Sequence, residues 1–92
     1  MNLAVPEAVT IGDSVIFQQV NDEAVLLSLT TQEYYGLNDV GASMWNSLLE
    51  CGELEAVVKK ISSVYDADEN VIRQDLHSMV RQLLELDFLK PA

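Results

Sequence analysis

Basic residues are missing from the first 58 positions of this 92-residue sequence, which hold nine acids and no lysine or arginine. All five basic residues lie from Lys59 onward, and the formal net charge is −10. Binding of DNA or RNA depends on clustered lysine and arginine that neutralise phosphates, and anionic membrane surfaces attract basic segments. The charge therefore counts against a nucleic-acid or membrane-surface role. Two explanations of the acidity stay open, namely solubility and complementarity to a partner.

Cysteine and histidine, which commonly act as nucleophiles, general bases or metal ligands, are also scarce. The single cysteine, Cys51, cannot form an internal disulfide, which fits a reducing compartment. The single histidine, His77, has no second histidine or cysteine ligand at a metal-binding spacing. A glycine-rich phosphate loop is absent as well. Because no nucleophile, base and orienting group can be assembled, we expect no catalytic activity, no metal and no cofactor.

Long hydrophobic runs are absent too. No run approaches the roughly 18 residues that a membrane-spanning helix requires, and Met1–Val5 lacks the basic start of a signal peptide. We therefore expect a cytoplasmic protein. The chain is 49% hydrophobic with only four Gly and two Pro, which predicts a folded chain. Its length suits one compact domain with a modest core.

The first half of the sequence shows the alternation and the β-branched and aromatic residues of strands. Asn21-Asp22 has the residues of a tight two-residue turn, and Thr30–Gln32 is a polar break. Connections this short join neighbouring antiparallel strands. The predicted strands are Ser14–Val20, Glu23–Leu29 and Glu33–Leu37.

From Asp39 the hydrophobic period becomes helical. Asn38 is placed to cap the first helix, and Gly52 is placed to end it near Cys51. Two further helices are predicted at Glu53–Tyr65 and Glu69–Leu86. The core stripe of the third should hold Ile72, Leu76, Met79, Leu83 and Leu86. The prediction is one α+β domain at residues 14–90, with three antiparallel strands followed by three helices, after an N-terminal arm at residues 1–13.

The third predicted strand is a candidate edge of the sheet. Tyr35 and Leu37 share one face of it, and Tyr34 and Gly36 share the other. An edge strand carries unpaired backbone donors and acceptors, and we expect this one to be used for binding. Tyr35 and Trp45 should belong to the core, whereas Tyr34 is either a ligand contact or plain surface.

The order of these motifs resembles the PqqD-like family, the precursor-peptide recognition elements of pathways that modify ribosomally made peptides. The resemblance covers about residues 14–89. It is carried by Tyr-Tyr-Gly-Leu-Asn at 34–38, Val-Gly-x-x-Met-Trp-x-x-Leu-Leu at 40–49, and Val-Ile-x-x-Asp-Leu-x-x-Met-Val-x-x-Leu at 71–83 before Phe88-Leu89. The family fold is similar to a winged helix-turn-helix. Asp87 departs from the family, which usually has glycine there, but aspartate tolerates the left-handed conformation better than most residues.

The resemblance implies binding by β-augmentation, in which the leader segment of a precursor peptide adds as a strand beside the third strand and lies against the third helix. The peptide-binding residues would then be Glu33, Tyr34, Tyr35, Gly36 and Leu37 on the strand, with Val71, Gln74, Asp75, Ser78, Met79 and Gln82 on the helix. Met79 would be the adaptable floor of the pocket. The opposite flank of the helix is the alternative (Arg73, His77, Val80, Arg81 and Leu84), and periodicity does not choose between them.

The implied partners are a precursor-peptide leader and a modifying enzyme of the same pathway. That enzyme would be a radical-SAM enzyme of the PQQ type, or a leader protease with a macrolactam synthetase as in lasso-peptide pathways. Two other functions stay open. A winged-helix transcriptional regulator would suit the fold but not the charge, and a small structural subunit of an enzyme complex is the third possibility.

Overall fold

The computed structural model describes residues 5–92, so the first four residues of the predicted arm lie outside the described part. Four strands come first along the chain, three helices follow, and a last short strand ends it. The strands are β1 (Val9–Ile11), β2 (Val15–Val20), β3 (Glu23–Ser28), β4 (Tyr34–Leu37) and β5 (Leu89–Pro91), and the helices are α1 (Asp39–Cys51), α2 (Leu54–Tyr65) and α3 (Glu69–Glu85).

Strands β2, β3 and β4 form an antiparallel meander in that order, which confirms the predicted three-stranded sheet. Each strand begins and ends within one residue of its predicted bounds. The turn between β2 and β3 places Asn21 at φ 58, a left-handed conformation that asparagine tolerates. Gln32 takes the same region, at φ 62, in the turn that leads to β4. Short turns thus hold the sheet in sequence order.

The three predicted helices follow the sheet. The side chain of Asn38 accepts a hydrogen bond from the Gly41 backbone N–H at 2.8 Å and so caps α1. Gly52 ends α1 at φ 76, and its N–H donates to the carbonyl of Leu48. The side chain of Asp68 caps α3 through the Asn70 N–H at 2.7 Å. Among the described residues, no helix is long and apolar enough to cross a bilayer.

A second sheet, which the sequence analysis did not predict, joins the two ends of the described chain. β1 pairs antiparallel with β5, with Ile11 opposite Leu89 and Val9 opposite Pro91. Strands of three residues are too short to show an alternating pattern. The turn before β5 depends on Asp87, which takes the left-handed conformation at φ 62 in the position where the resemblance implied glycine. Part of the predicted arm therefore pairs with the end of the chain.

The core lies between the inner face of the three-stranded sheet and the three helices. Leu26 of β3 and Trp45 of α1 are fully buried, as is Leu76 of α3. On α3 the buried stripe is Ile72, Leu76, Val80 and Leu83. Met79 and Leu86, which were also predicted on this stripe, are half-buried and pack against the core at its margin. The stripe is rotated toward Val80, which lies two helical turns after Arg73, the residue paired with Glu55 of α2.

Candidate functional site

Strand β4 is an edge of the sheet. It pairs with β3 on one side, and within residues 5–92 no strand pairs with its other side. The N–H of Ser28 donates to the carbonyl of Glu33 at 2.9 Å, so these two residues form a hydrogen-bonded pair. Such pairs alternate along an antiparallel ladder, which directs the backbone groups of Tyr35 and Leu37 toward β3.

The backbone N–H and C=O groups of Tyr34 and Gly36 point away from the sheet, because these residues occupy the alternate positions of the ladder. Their positions leave two donors and two acceptors on the edge of β4. Tyr34 has 75% of its surface exposed. A Cβ built on Gly36 meets no described atom within 4 Å, so the backbone can be approached closely there. This edge can accept another strand.

An open groove of about 410 Å³ lies beside this edge. Strand β4 and the start of α1 form one wall, and α3 forms the other. Its lining combines apolar and polar surface, with the apolar side chains of Leu37, Val40, Met44 and Met79 beside those of Tyr35, Asn38 and Asp75. Asp75 is the one charged side chain among the described lining residues. The groove therefore offers apolar contact area and a single carboxylate acceptor directly next to the free edge.

Tyr35 connects the edge strand to α3. Its hydroxyl donates to the side-chain oxygen of Gln82, and its ring packs tilted against Phe88 at a centroid distance of 6.3 Å. The side chain is half-buried and lies against the core, as the alternation of β4 predicts. Because one side chain contacts both walls, Tyr35 fixes the spacing between β4 and the second half of α3.

The residues predicted on α3 divide into two groups. Asp75 and Met79 line the groove, and Gln82 is bonded to Tyr35. The other three are exposed outside the groove lining, namely Val71, Gln74 and Ser78. The five edge residues are brought together as predicted, although Glu33 precedes the strand and pairs its carbonyl inward. Their role in binding stays a prediction.

The opposite flank of α3, which was the alternative binding surface, does not line this groove. Val80 is fully buried. The Arg73 guanidinium forms an ion pair with Glu55 of α2 at 2.8 Å, and its hydrogen bonds hold the pKa of the Glu55 carboxyl below its usual value. His77 lines a different pocket together with Val5 and Leu54. None of these three residues lines the groove beside β4.

Sequence reasoning missed the contribution of α1 to the groove. The predicted binding residues include none from this helix, yet Val40 and Met44 line the groove wall. Val40 is half-buried whereas Met44 is almost fully buried. The available signal was the absence of any loop between β4 and α1, since Asn38 alone separates them. A helix that begins this close to an edge strand carries its first turn along that edge.

The comparisons with known proteins agree with this architecture. The family model described as Coenzyme PQQ synthesis protein D (PqqD) matches residues 23–89. The chain is 34% identical to TbiB1, solved in complex with the TbiA(beta) leader peptide, with a TM-score of 0.84 over 90% of this chain and 96% of that chain. It shares its fold with a lasso peptide synthetase B1 complexed with the leader peptide, at 24% identity and a TM-score of 0.82 over 91% and 99% of the two chains. Comparison with curated proteins gives no significant match.

Proposed function

The chain belongs to the PqqD family, and from that membership we propose that it is a module that binds the leader segment of a ribosomally synthesised precursor peptide and presents it to a modifying enzyme. The leader adds as a strand to the free edge of β4. The relative of 34% identity, which was solved with a leader peptide, supports this choice of ligand.

The observation that carries the proposal is the combination of a free strand edge with a neighbouring groove. The outward groups of Tyr34 and Gly36 supply main-chain hydrogen bonds, which give affinity with little dependence on sequence. Alternate side chains of the added strand face the helices, where Leu37 and Met79 offer apolar contacts. Selectivity then comes from the groove, and affinity from the edge.

The module acts by presentation and not by catalysis. A leader held on this domain raises the effective concentration of the precursor next to an enzyme that also binds the domain. The receiving enzyme is a radical-SAM enzyme of the PQQ type or a lasso-type leader protease with its macrolactam synthetase. Co-purification of the full chain with candidates of each type identifies which of the two receives the peptide.

The test of the proposed site uses Gly36→Pro with Gly36→Ala as its matched control. Proline removes one outward N–H without touching a bond to β3, and edge strands tolerate it. Alanine keeps the N–H, and its Cβ meets open space. The probe is a display library of random peptides of about 12 residues, long enough to cover an edge strand of this size. Binding of an enriched peptide to each protein is measured by fluorescence polarisation.

We expect Gly36→Pro to weaken binding about tenfold or more and Gly36→Ala to weaken it less than about threefold. Circular dichroism checks that both variants keep the fold. If no peptide is enriched, or if Gly36→Pro binds the enriched peptide as tightly as the natural chain, the edge of β4 is not the binding site.

A further inference from the structure

The outer face of the sheet carries an uncharged hollow next to Gly36, and we propose that this hollow is a second specificity site, which takes a large aromatic side chain from the peptide strand added at β4. The inference rests on the proposed function and deepens it. The peptide would be recognised on both faces of the added strand, by the groove on the helix side and by this hollow on the other.

The strand register places the relevant residues in two rows on the outer face. Ile16 lies opposite Leu27, and Leu27 lies opposite Tyr34. In the adjacent row, Val25 lies opposite Gly36. Directly opposed residues on neighbouring strands point to the same face of a sheet. These rows therefore face away from the helices, and Ile16, Val25 and Tyr34 within them are exposed.

A hollow of about 360 Å³ with no charged residue in its described lining lies on this face, and its Val25 and Tyr34 side borders the open position at Gly36. The other lining residues are Ile16, Phe17, Gln18 and Leu27. Ile16, Val25 and Tyr34 have 51%, 41% and 75% of their surface exposed, so the hollow is apolar and open to solvent. The row that contains Gly36 is interrupted, since the space above that residue is empty to 4 Å. A side chain at position 36 would fill the gap between Val25 and any strand added at the edge.

Strand spacing determines which side chain can use this gap. An added strand lies about 4.8 Å from β4 and therefore about 10 Å from β3. The peptide residue opposite Gly36 points to the outer face whether the strand is parallel or antiparallel. A small side chain at that position cannot reach Val25. An aromatic ring can lie across the glycine, the arrangement known to rescue glycines at strand edges.

Among the long side chains, the charged ones gain least from this position. Lysine, arginine and glutamate have the required length, but the hollow contains no described partner of opposite charge, so their charged groups gain nothing by leaving solvent. Aromatic rings contribute a large apolar area at a low cost in conformational entropy. The geometry thus points to phenylalanine, tyrosine or tryptophan at the peptide position that pairs with Gly36.

A double-mutant cycle tests the assignment. The probe is one aromatic-containing peptide from the random library, compared with the same peptide in which the aromatic residue is alanine. The proteins are the natural chain and Gly36→Val, whose side chain occupies the gap while the backbone N–H is kept. For the natural chain we expect the loss of the aromatic ring to weaken binding about tenfold. For Gly36→Val the same change should alter affinity less than about twofold, because the gap is already filled.

The alanine peptide measures how far Gly36→Val itself changes strand pairing, so the test compares the ratio of aromatic-peptide to alanine-peptide affinity in the two proteins. An equal loss in both proteins would place the aromatic ring elsewhere and overturn this inference while leaving the proposed function standing. Failure of Gly36→Pro to reduce binding of either peptide would instead overturn the proposed function, and this site with it. Enriched peptides without an aromatic residue at a fixed position would also overturn the inference.

Discussion

Asp75 is the residue on which charge recognition in the groove depends. It is exposed, it lies on the α3 wall, and it is the one charged side chain in the described lining. A carboxylate on a groove wall accepts hydrogen bonds from a lysine, an arginine or a hydroxyl group of the peptide. Asp75 is not part of the described core, so its substitution should change the affinity for peptide without changing the free energy of unfolding.

We predict that Asp75→Asn weakens binding of library peptides with a groove-facing lysine or arginine about three- to tenfold, since the amide keeps the shape and loses the charge. Fluorescence polarisation measures the change. Arg73→Ala is the matched control, because that residue is bonded to Glu55 on α2 and does not line the groove. Unchanged affinity in Asp75→Asn together with a loss in Arg73→Ala would assign binding to the opposite flank of α3.

Neighbouring positions on α3 show what sequence periodicity could not resolve. Met79 and Val80 both fit an apolar stripe with Ile72 and Leu76, at spacings of three or four residues. The placement of α3 in the fold decides between them, because it buries Val80 and leaves Met79 beside the groove. That choice depends on how α3 is rotated about its axis in the folded protein. Hydrophobic periodicity in the sequence does not determine this rotation.

At the level of elements, local sequence patterns were sufficient to predict the bounds of the longer strands and helices. The alternation in β2 and β3 and the helical period of α1 to α3 gave bounds close to those observed. The free edge of β4 could also be predicted, because short turns fix the strand order. The pairing of β1 with β5 could not, since it joins residues about 80 positions apart through strands of three residues. The α1 wall of the groove and the outer hollow were missed because they arise only from tertiary placement.

The β1–β5 sheet depends on a close approach at Gly12. Its N–H donates to the carbonyl of Phe88 at 2.9 Å, and a Cβ at this position would lie 2.3 Å from the backbone oxygen of Asp87. Because the atom in the way belongs to the backbone, no side-chain rotation relieves the overlap. We predict that Gly12→Ala destabilises the domain by about 2 kcal/mol, as overpacking of a tight site does.

Urea denaturation of both variants, followed by circular dichroism, measures this effect. Gly36→Ala serves as the control, since its Cβ meets no described atom within 4 Å and its free energy of unfolding should change by less than about 0.5 kcal/mol. If Gly12→Ala were as stable as the natural chain, the contact between the β1 end and the turn at Asp87 would not contribute to folding.

At the level of the whole molecule, the net charge of −10 sets a field that any ligand must enter. The binding edge lies in the acidic part of the sequence, with Glu33 before β4 and Asp39 directly after Asn38. Three of the five basic residues, Lys60, Arg73 and Lys90, already form ion pairs with acids elsewhere in the chain. The field at the groove therefore favours a cationic peptide over an anionic one.

We predict that two lysines added to the ends of a library peptide strengthen binding, and that two glutamates added there weaken it, each by about three- to tenfold at low salt. The difference should shrink at about 0.5 M salt, because exposed charges are then screened within a few ångströms. Titrations at both salt concentrations measure it, with two added serines as the neutral control. The same field repels nucleic acid, so labelled duplex DNA should not bind even at low salt. Salt-sensitive DNA binding would favour a winged-helix regulator instead, and a preference for the glutamate peptide would show that the binding site is not in this acidic half of the molecule.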